Sequence, residues 1–246
     1  MRLMPLISAT LLLVMSGSAF AQEDYTEFVS REERFTITFP GKPVVSETTW
    51  MSEYGAVLPA RVYSATNGAG RHTLTVVDYR PVERILLEKA KSCPLGAETC
   101  QGVGDTGIGY WKNDVRGAVT YAIGKMLTER DVKVTHLMWN FMELVAGNEI
   151  QLTNNKDQSR TFASVYMHDY RLLIAESTVP KGYPPPTVLQ QSLGWLDEQG
   201  RGIRYQYPYH NEPDPTVAPV PIRGRPVVAV PADRIDPGAP GNVPAR

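Results

Sequence analysis

The sequence is poor in the side chains that most often perform chemistry. It has two cysteines and four histidines, and no two histidines stand four positions apart. The H-E-x-x-H pattern of zinc peptidases is therefore absent, and so are the G-x-S-x-G nucleophile motif and the G-x-x-x-x-G-K-[ST] phosphate loop. These absences exclude the enzyme classes that are recognised by a short sequence motif. They also lead us to predict no cofactor and no metal site.

The chain also lacks an excess of charge of either sign. It carries 25 basic and 26 acidic residues, for a formal net charge of −1. A balance this close to zero gives no electrostatic footprint for nucleic acid or for an anionic membrane surface. The sequence also has no later apolar run of the ~18 residues that a membrane-spanning helix needs. We expect neither a nucleic-acid partner nor a membrane span.

The N-terminal residues 1–21 have the layout of a secretory signal peptide. Arg2 supplies a positive start, a largely apolar run follows, and Ala19-Phe20-Ala21 matches an A-x-A cleavage site. Cleavage between Ala21 and Gln22 would release a protein whose new N-terminus has no cysteine to carry a lipid. The sequence therefore predicts a soluble periplasmic or secreted protein.

Cys93 and Cys100 are close enough in sequence to form one disulfide. In an oxidising compartment two neighbouring cysteines favour a structural bridge, here one that closes a short loop. A redox pair usually has C-x-x-C spacing, and a zinc site would need a second Cys/His cluster. Both remain as alternatives to the predicted Cys93–Cys100 disulfide.

Over most of the chain, the residue pattern predicts short strands separated by turns. Phe35, Ile37 and Phe39 alternate with polar residues, as in a strand with one buried face. Asn67-Gly68 is a hairpin signal, because both residues tolerate positive φ. Further strands are predicted between residues 132 and 179, with turns at Gly147-Asn148 and at His168-Asp169.

Three helices are predicted among these strands. Pro81 begins the first, the apolar spacing from Val115 to Leu127 marks the second, and a third carries Val188 to Leu196 and ends at Gly200. Strands followed by helices, twice over, predict an α+β domain over residues 22–206. We expect an antiparallel sheet with helices packed on its faces.

The last 40 residues, 207–246, differ in composition from the rest. They contain ten prolines and almost no large apolar residue other than valine. Such a segment cannot bury enough surface to offset its ordering entropy. We predict a disordered, proline-rich tail, either a solvated extension or a tether to a partner.

Three patterns are candidates for chemistry. Gly102, Gly104 and Gly107 spell G-x-G-x-x-G, but a cysteine loop precedes them instead of the strand that dinucleotide binding requires. His168 beside Asp169 is the first pair to test for a spatially assembled hydrolase site. The aromatic residues could line a ligand groove, although core packing is their more common role: Trp50, Trp111, Trp139, Tyr166, Tyr170 and Trp195.

Several segments resemble exported bacterial proteins of the PsbP-like fold. They are FTITFPGKP at residues 35–43, LTVVDY at 74–79 and YRLLIAESTVPKGY at 170–183, followed by Ser192-Leu193. That fold also occurs in an extrinsic subunit of photosystem II and in a nuclear-import factor that binds Ran. The resemblance implies an α-β-α sandwich and an accessory binding role. It assigns no active-site residue to this chain.

The sequence thus favours a non-enzymatic accessory or binding protein of the bacterial cell envelope, whose partner is an envelope protein. A periplasmic hydrolase and a small-molecule or lipid carrier are the alternatives. An enzyme would act on an ester or a glycoside, whereas a carrier would copurify with its ligand.

Overall fold

The computed structural model describes residues 25–67, 70–92, 110–209 and 219–221. The strands in chain order are β1 Tyr25–Ser30, β2 Phe35–Pro40, β3 Val44–Met51, β4 Val57–Thr66, β5 Arg71–Asp78, β6 Val132–Met142, β7 Val145–Asn154, β8 Arg160–His168, β9 Arg171–Val179, β10 Gly194–Leu196, β11 Gly202–Tyr205 and β12 Pro219–Pro221. The helices are α1 Val82–Lys91, α2 Tyr110–Thr128 and α3 Val188–Gln191.

The strands form two antiparallel sheets. The larger sheet has seven strands in the order β3-β4-β5-β9-β8-β7-β6, and the smaller has five in the order β1-β2-β10-β11-β12. Strands β3 and β6 are therefore the two edges of the larger sheet. Short hairpins join most neighbours, since antiparallel pairs need only a tight turn between them.

Two hydrophobic clusters lie on opposite faces of the larger sheet. The first contains the apolar stripes of α1 and α2 together with residues such as Ile150 and Ile174. The second joins the other face of the sheet to the small sheet and α3, through residues such as Phe35, Leu173 and Trp195. The large sheet is thus the shared middle layer of the molecule.

The predicted α+β fold, an antiparallel sheet with helices packed on its faces as in the PsbP-like α-β-α sandwich, is wrong. The protein is mostly β, with two antiparallel sheets and three helices among the described residues. Residues expected to form a covering helix instead supply β10, which lies between β2 and β11 in the smaller sheet, so a second sheet covers the second face. Alternating and helical apolar spacing are hard to distinguish over so few residues.

The third predicted helix is the clearest local error. Only Val188–Gln191 is helical, and Gly194–Leu196 is a strand paired with β2. The Oγ of Ser192 accepts a hydrogen bond from the Thr38 N–H at 2.8 Å. The buried Trp195 ring donates to the Met142 carbonyl at 2.8 Å. These tertiary contacts override the local helical spacing.

The turn predicted at Gly147-Asn148 lies four residues too late. The β6–β7 hairpin turns at Glu143 and Leu144, which have φ of 48° and 67°. Gly147 lies within β7, where a Cβ would come within 2.2 Å of the Tyr166 ring. Glycine is needed here for close packing rather than for a turn.

Other expectations are confirmed. Strands β4 and β5 pair across the predicted hairpin, and Asn67 and Gly70 exchange backbone hydrogen bonds. Helix α1 follows Pro81 directly. A turn between β8 and β9 is present, but it lies at Asp169 and Tyr170, one residue later than the predicted His168-Asp169. Within the described residues, no helix has the length and apolarity to cross a bilayer.

Several predictions concern residues outside those the structure describes. These are the signal peptide of residues 1–21 with its Ala21–Gln22 cleavage site, the Cys93–Cys100 disulfide, the glycines 102, 104 and 107, and most of the tail. All of them stay predictions.

Candidate functional site

A charged cleft lies at the junction of the two sheets. It has a volume of about 180 Å³ and is lined by Glu32, Glu33, Glu47, Thr48, Pro59, Ala60, Arg61, Val76, Asp78 and Arg80. Four of these residues are acidic and two are arginines. We call it the acid–arginine cleft.

Local structure explains why these charges meet. Glu32 and Glu33 lie in the tight turn that joins β1 to β2, where backbone reversal places polar side chains at the rim of the small sheet. Glu47 on β3 and Arg61 on β4 are directly opposite in the sheet register, so they share one face. Asp78 ends β5 beside them.

Arg61 is the centre of the cleft. Its Nη1 lies 2.8 Å from Glu32 Oε2 and 2.9 Å from Glu33 Oε1, and its Nε lies 3.7 Å from Glu47 Oε1. The hydrogen bond from Arg61 lowers the pKa of the exposed Glu32. The Arg61 guanidinium thus forms ion pairs with three carboxylates.

Glu33 is the least satisfied carboxylate of the cleft. Its side chain is only 8% exposed, and burial raises its pKa despite the arginines nearby. Among the residues that the structure describes, no hydrogen-bond donor reaches Glu33 Oε2, and Arg171 Nε stays 3.6 Å away. Glu33 therefore accepts its hydrogen bond from Arg61 through Oε1, while its other oxygen faces the buried Arg171.

Behind the cleft, Arg171 holds the two turns together. Its buried guanidinium donates to the Asp169 carbonyl at 2.9 Å, to Asp169 Oδ2 at 2.8 Å and to the Glu32 carbonyl at 3.2 Å. Arg34 forms a second ion pair with Asp169. The β1–β2 turn and the β8–β9 turn are therefore fixed around one buried cation.

At the other end of the cleft, Arg80 binds Asp78 through two hydrogen bonds of 2.8 Å. Burial works to raise the pKa of Asp78, but the hydrogen bonds from Arg80 outweigh it and lower the pKa. Asp78 therefore stays ionised at neutral pH. The cleft carries more negative than positive groups.

The structure does not couple His168 to Asp169. His168 is buried, its Nε2 lies 2.6 Å from the Tyr205 hydroxyl, and its ring stacks on Trp195. Burial, with a further contribution from Arg171 and Arg34, lowers the pKa of His168 to about 3. Asp169 faces those arginines instead. A neutral, sealed imidazole does not have the access that a hydrolytic base needs.

The other predicted residues have separate surroundings. His72 is buried with Nδ1 2.8 Å from Ser177 Oγ, and His136 lies on the edge strand β6. Tyr166 and Trp195 pack edge to face in the core. Trp139 is 58% exposed. The structure brings none of these together with the acid–arginine cleft.

A second buried polar group was not predicted. Asp114 on α2 is fully buried and accepts a hydrogen bond of 2.5 Å from Ser52 Oγ. Burial raises its pKa to about 6. In the sequence, the only sign of this group is a polar residue beside the apolar stripe of α2. Its partner Ser52 lies 62 residues away and could not be identified.

The cleft residues were also missed, although the run Arg31-Glu32-Glu33-Arg34 was visible. A charge run at a turn usually indicates a solvated surface, and only the fold brings Arg61 and Arg171 to it. Among the residues that the structure describes, no group of three His, Cys, Asp or Glu side chains could hold a metal ion.

Comparison with known proteins gives little further information. No protein-family model and no curated protein matches the chain. A solved structure, PA94 from Pseudomonas aeruginosa, a protein of unknown function, aligns over 64% of this chain and 83% of its own length. The sequence identity is 8% and the TM-score is 0.28, so this similarity supports no inference about the fold or the function of the chain.

Proposed function

We propose that the protein is a non-enzymatic, exported accessory protein of the bacterial cell envelope that binds a partner protein through the acid–arginine cleft. Export rests on the signal-peptide pattern of residues 1–21. The binding role rests on the excess of carboxylates over arginines in the lining of the cleft, and on the exposed carboxylates of Glu32 and Glu47 among them. We infer that the cleft receives a lysine or arginine side chain of the partner.

The size of the cleft favours a single side chain over a free metabolite. Its volume of about 180 Å³ is below the roughly 300 Å³ at which small-molecule pockets begin. Its lining is charged, which opposes a lipid ligand. These features weigh against the carrier alternative.

The pairing of charges weighs against the hydrolase alternative. Arg61 and Arg80 already bind the cleft carboxylates, and His168 is buried against Tyr205. Hydrolysis by two carboxylates requires one free base and one protonated acid that both face the substrate. Glu32 and Glu33 have pKa values moved apart, but they share one guanidinium.

The test is photo-crosslinking in intact cells from the exposed rim residue Thr48, followed by mass spectrometry. We expect one envelope protein to be joined, through a segment that contains lysine or arginine. The double variant Glu32→Gln/Glu47→Gln removes two exposed charges of the cleft and should reduce the adduct roughly tenfold.

The control variant Glu83→Gln/Glu88→Gln makes the same change in charge on the exposed face of α1 and should leave the adduct unchanged. Equal loss in both variants would mean that only net charge matters. Turnover of an ester or glycoside that is abolished by Glu33→Gln or His168→Ala, without any adduct, would support the hydrolase instead.

A further inference from the structure

Strand β6 presents an unusually apolar open edge of the larger sheet. It is the last strand of that sheet among the described residues, and it spans eleven residues. Its exposed apolar side chains are Val134 at 42%, Leu137 at 48%, Met138 at 45% and Trp139 at 58%. Long, flat, apolar edges are sites of pairing with another strand, because their backbone groups are unpaired on one side.

The second half of β6 has a regular pattern of faces. Leu137 is opposite Ile150, Trp139 opposite Asn148 and Phe141 opposite Ala146 in the β7 register. Since Ile150 belongs to the cluster beneath α1 and α2, these three side chains share the helix-covered face. The irregularity of β6 lies earlier, between Val134 and His136. Residues 136–142 therefore pair with β7 without a bulge.

Two aromatic rings are already packed together at this edge. The Trp139 and Phe141 ring centroids are 4.3 Å apart at an angle of 61°. The Phe141 N–H donates to Asn140 Oδ1, and the Met138 carbonyl accepts from Asn148 Nδ2 of β7. Because backbone groups alternate along a strand, those of Leu137, Trp139 and Phe141 then point to the open side, where the Phe141 N–H must leave Asn140 Oδ1 before a second strand can pair at that position.

The other edge of the same sheet is protected. Strand β3 carries Glu47 near its centre, so the antiparallel register that pairs residues 44–50 with the same residues of a second β3 would place two Glu47 carboxylates opposite each other. In β6 the only lysine, arginine or acid is Lys133, which lies outside residues 136–142. Charge therefore opposes this register at one edge, whereas residues 136–142 of the other edge contain no lysine, arginine or acid.

We propose that two copies of the chain pair through β6, antiparallel, about a two-fold axis at Trp139. In this register Trp139 is opposite its own copy, and Leu137 is opposite Phe141 of the second copy. His136 is opposite Met142, and Met138 is opposite Asn140. Apolar side chains on the helix-covered face thus meet only apolar side chains, and the two Lys133 side chains lie at opposite ends.

The paired sheet would contain fourteen strands, twice the seven of one copy. The acid–arginine cleft is lined from β3, β4 and β5, at the edge opposite β6. A dimer of this kind leaves both clefts open, at the two far ends of the sheet. This inference does not depend on what the cleft binds.

The test is the molar mass of the full-length mature chain, measured by light scattering across a roughly hundredfold range of concentration, since dimer population depends on concentration. Trp139→Lys places two cations opposite each other at the axis and should weaken the dimer at least tenfold. Met51→Lys is the matched control, because Met51 is 57% exposed on the edge strand β3. It should leave the dimer intact.

A photoreactive residue at Leu137 checks the register in the purified protein. We expect a covalent dimer whose crosslink maps to residues 139–142 of the second copy. A monomer at every concentration overturns the proposal, as does a Trp139→Lys protein that dimerises like the wild type. A monomer that crosslinks in cells from Leu137 to a different protein also overturns it, while adducts from Thr48 would still support the cleft proposal.

Discussion

Arg171 and Asp114 are buried ionisable groups on opposite faces of the same sheet, and they are accommodated in different ways. The Arg171 side chain is 2% exposed, and its guanidinium has Asp169, Glu33 and the Glu32 carbonyl around it. Asp114 is fully buried, and the structure gives it the Ser52 hydroxyl and no cation at hydrogen-bond distance among the described residues.

The difference follows from the chemistry of the two groups. A guanidinium cannot lose its proton in a folded protein, so a buried arginine must be surrounded by acceptors. Burial lowers the pKa of Arg171, but the nearby Asp169 and Glu33 oppose this. A carboxyl group has another route, because it can take up a proton. Burial accordingly raises the pKa of Asp114 to about 6.

The largest effect should come from Arg171→Met, which removes the buried cation between Glu33 and Asp169 and leaves them only Arg61 and Arg34. We expect a loss of about 3–5 kcal/mol in the free energy of unfolding at pH 7, measured by urea denaturation. Arg80→Met, at an exposed side chain bound to Asp78, is the matched control and should cost under about 1 kcal/mol.

The double variant Arg171→Met/Glu33→Gln separates a stranded charge from lost packing. If the buried Glu33 carboxylate, then paired with Arg61 alone, causes much of the loss, the double variant should be more stable than Arg171→Met alone. An Arg171→Met protein that unfolds at the wild-type urea concentration would contradict the role assigned to this ion cluster.

Asp114→Asn should alter how stability depends on pH. A carboxyl group whose pKa is raised on folding stabilises the protein below its unfolded pKa of 3.8. That contribution falls as the pH rises and is lost above the folded pKa of about 6. The Asn variant has no such carboxyl group. Between pH 4 and 7 its free energy of unfolding should therefore rise relative to that of the wild type by up to about 3 kcal/mol. A constant difference across that range would show that Asp114 is ionised throughout.

Ser52→Ala removes the one hydroxyl that supports the Asp114 carboxylate. We expect a cost of about 1–2 kcal/mol at pH 7, and a smaller cost at pH 4, where Asp114 is already protonated. The Ala56 N–H also donates to Ser52 Oγ at 3.0 Å, and that loss does not depend on pH. The same substitution in the Asp114→Asn background should therefore lose its pH dependence.

The sequence predicted local features of this molecule better than its layers. The strand of Phe35, Ile37 and Phe39 and the helix after Pro81 are confirmed, because alternation and backbone chemistry act over a few residues. The second sheet was missed, since Gly194–Leu196 is a strand because β2 and β11 pair with it. The α-β-α sandwich expected from the resemblance failed for the same reason.

The candidate site could not be predicted, because it is assembled from distant parts of the chain. Glu33 and Arg61 are 28 residues apart, and the Arg34–Asp169 pair spans 135. Each of these residues alone is an ordinary surface charge. His168 and Asp169 were noticed because they are adjacent, yet successive residues at a strand end face different surroundings, and their side chains diverge.

The smallest loss of stability is expected at an exposed ion pair, which is the reference for the two buried groups Arg171 and Asp114. Lys125 and Glu129 form an i,i+4 ion pair of 2.8 Å at the end of α2, and the Glu129 side chain is 60% exposed. Water screens this pair, so Glu129→Gln should cost only about 0.3–0.5 kcal/mol, and less in high salt. Lys125→Gln and the double variant complete the cycle. A coupling above about 1 kcal/mol would mean that exposure is not what separates this pair from Arg171, and the ranking of these variants by burial would fail.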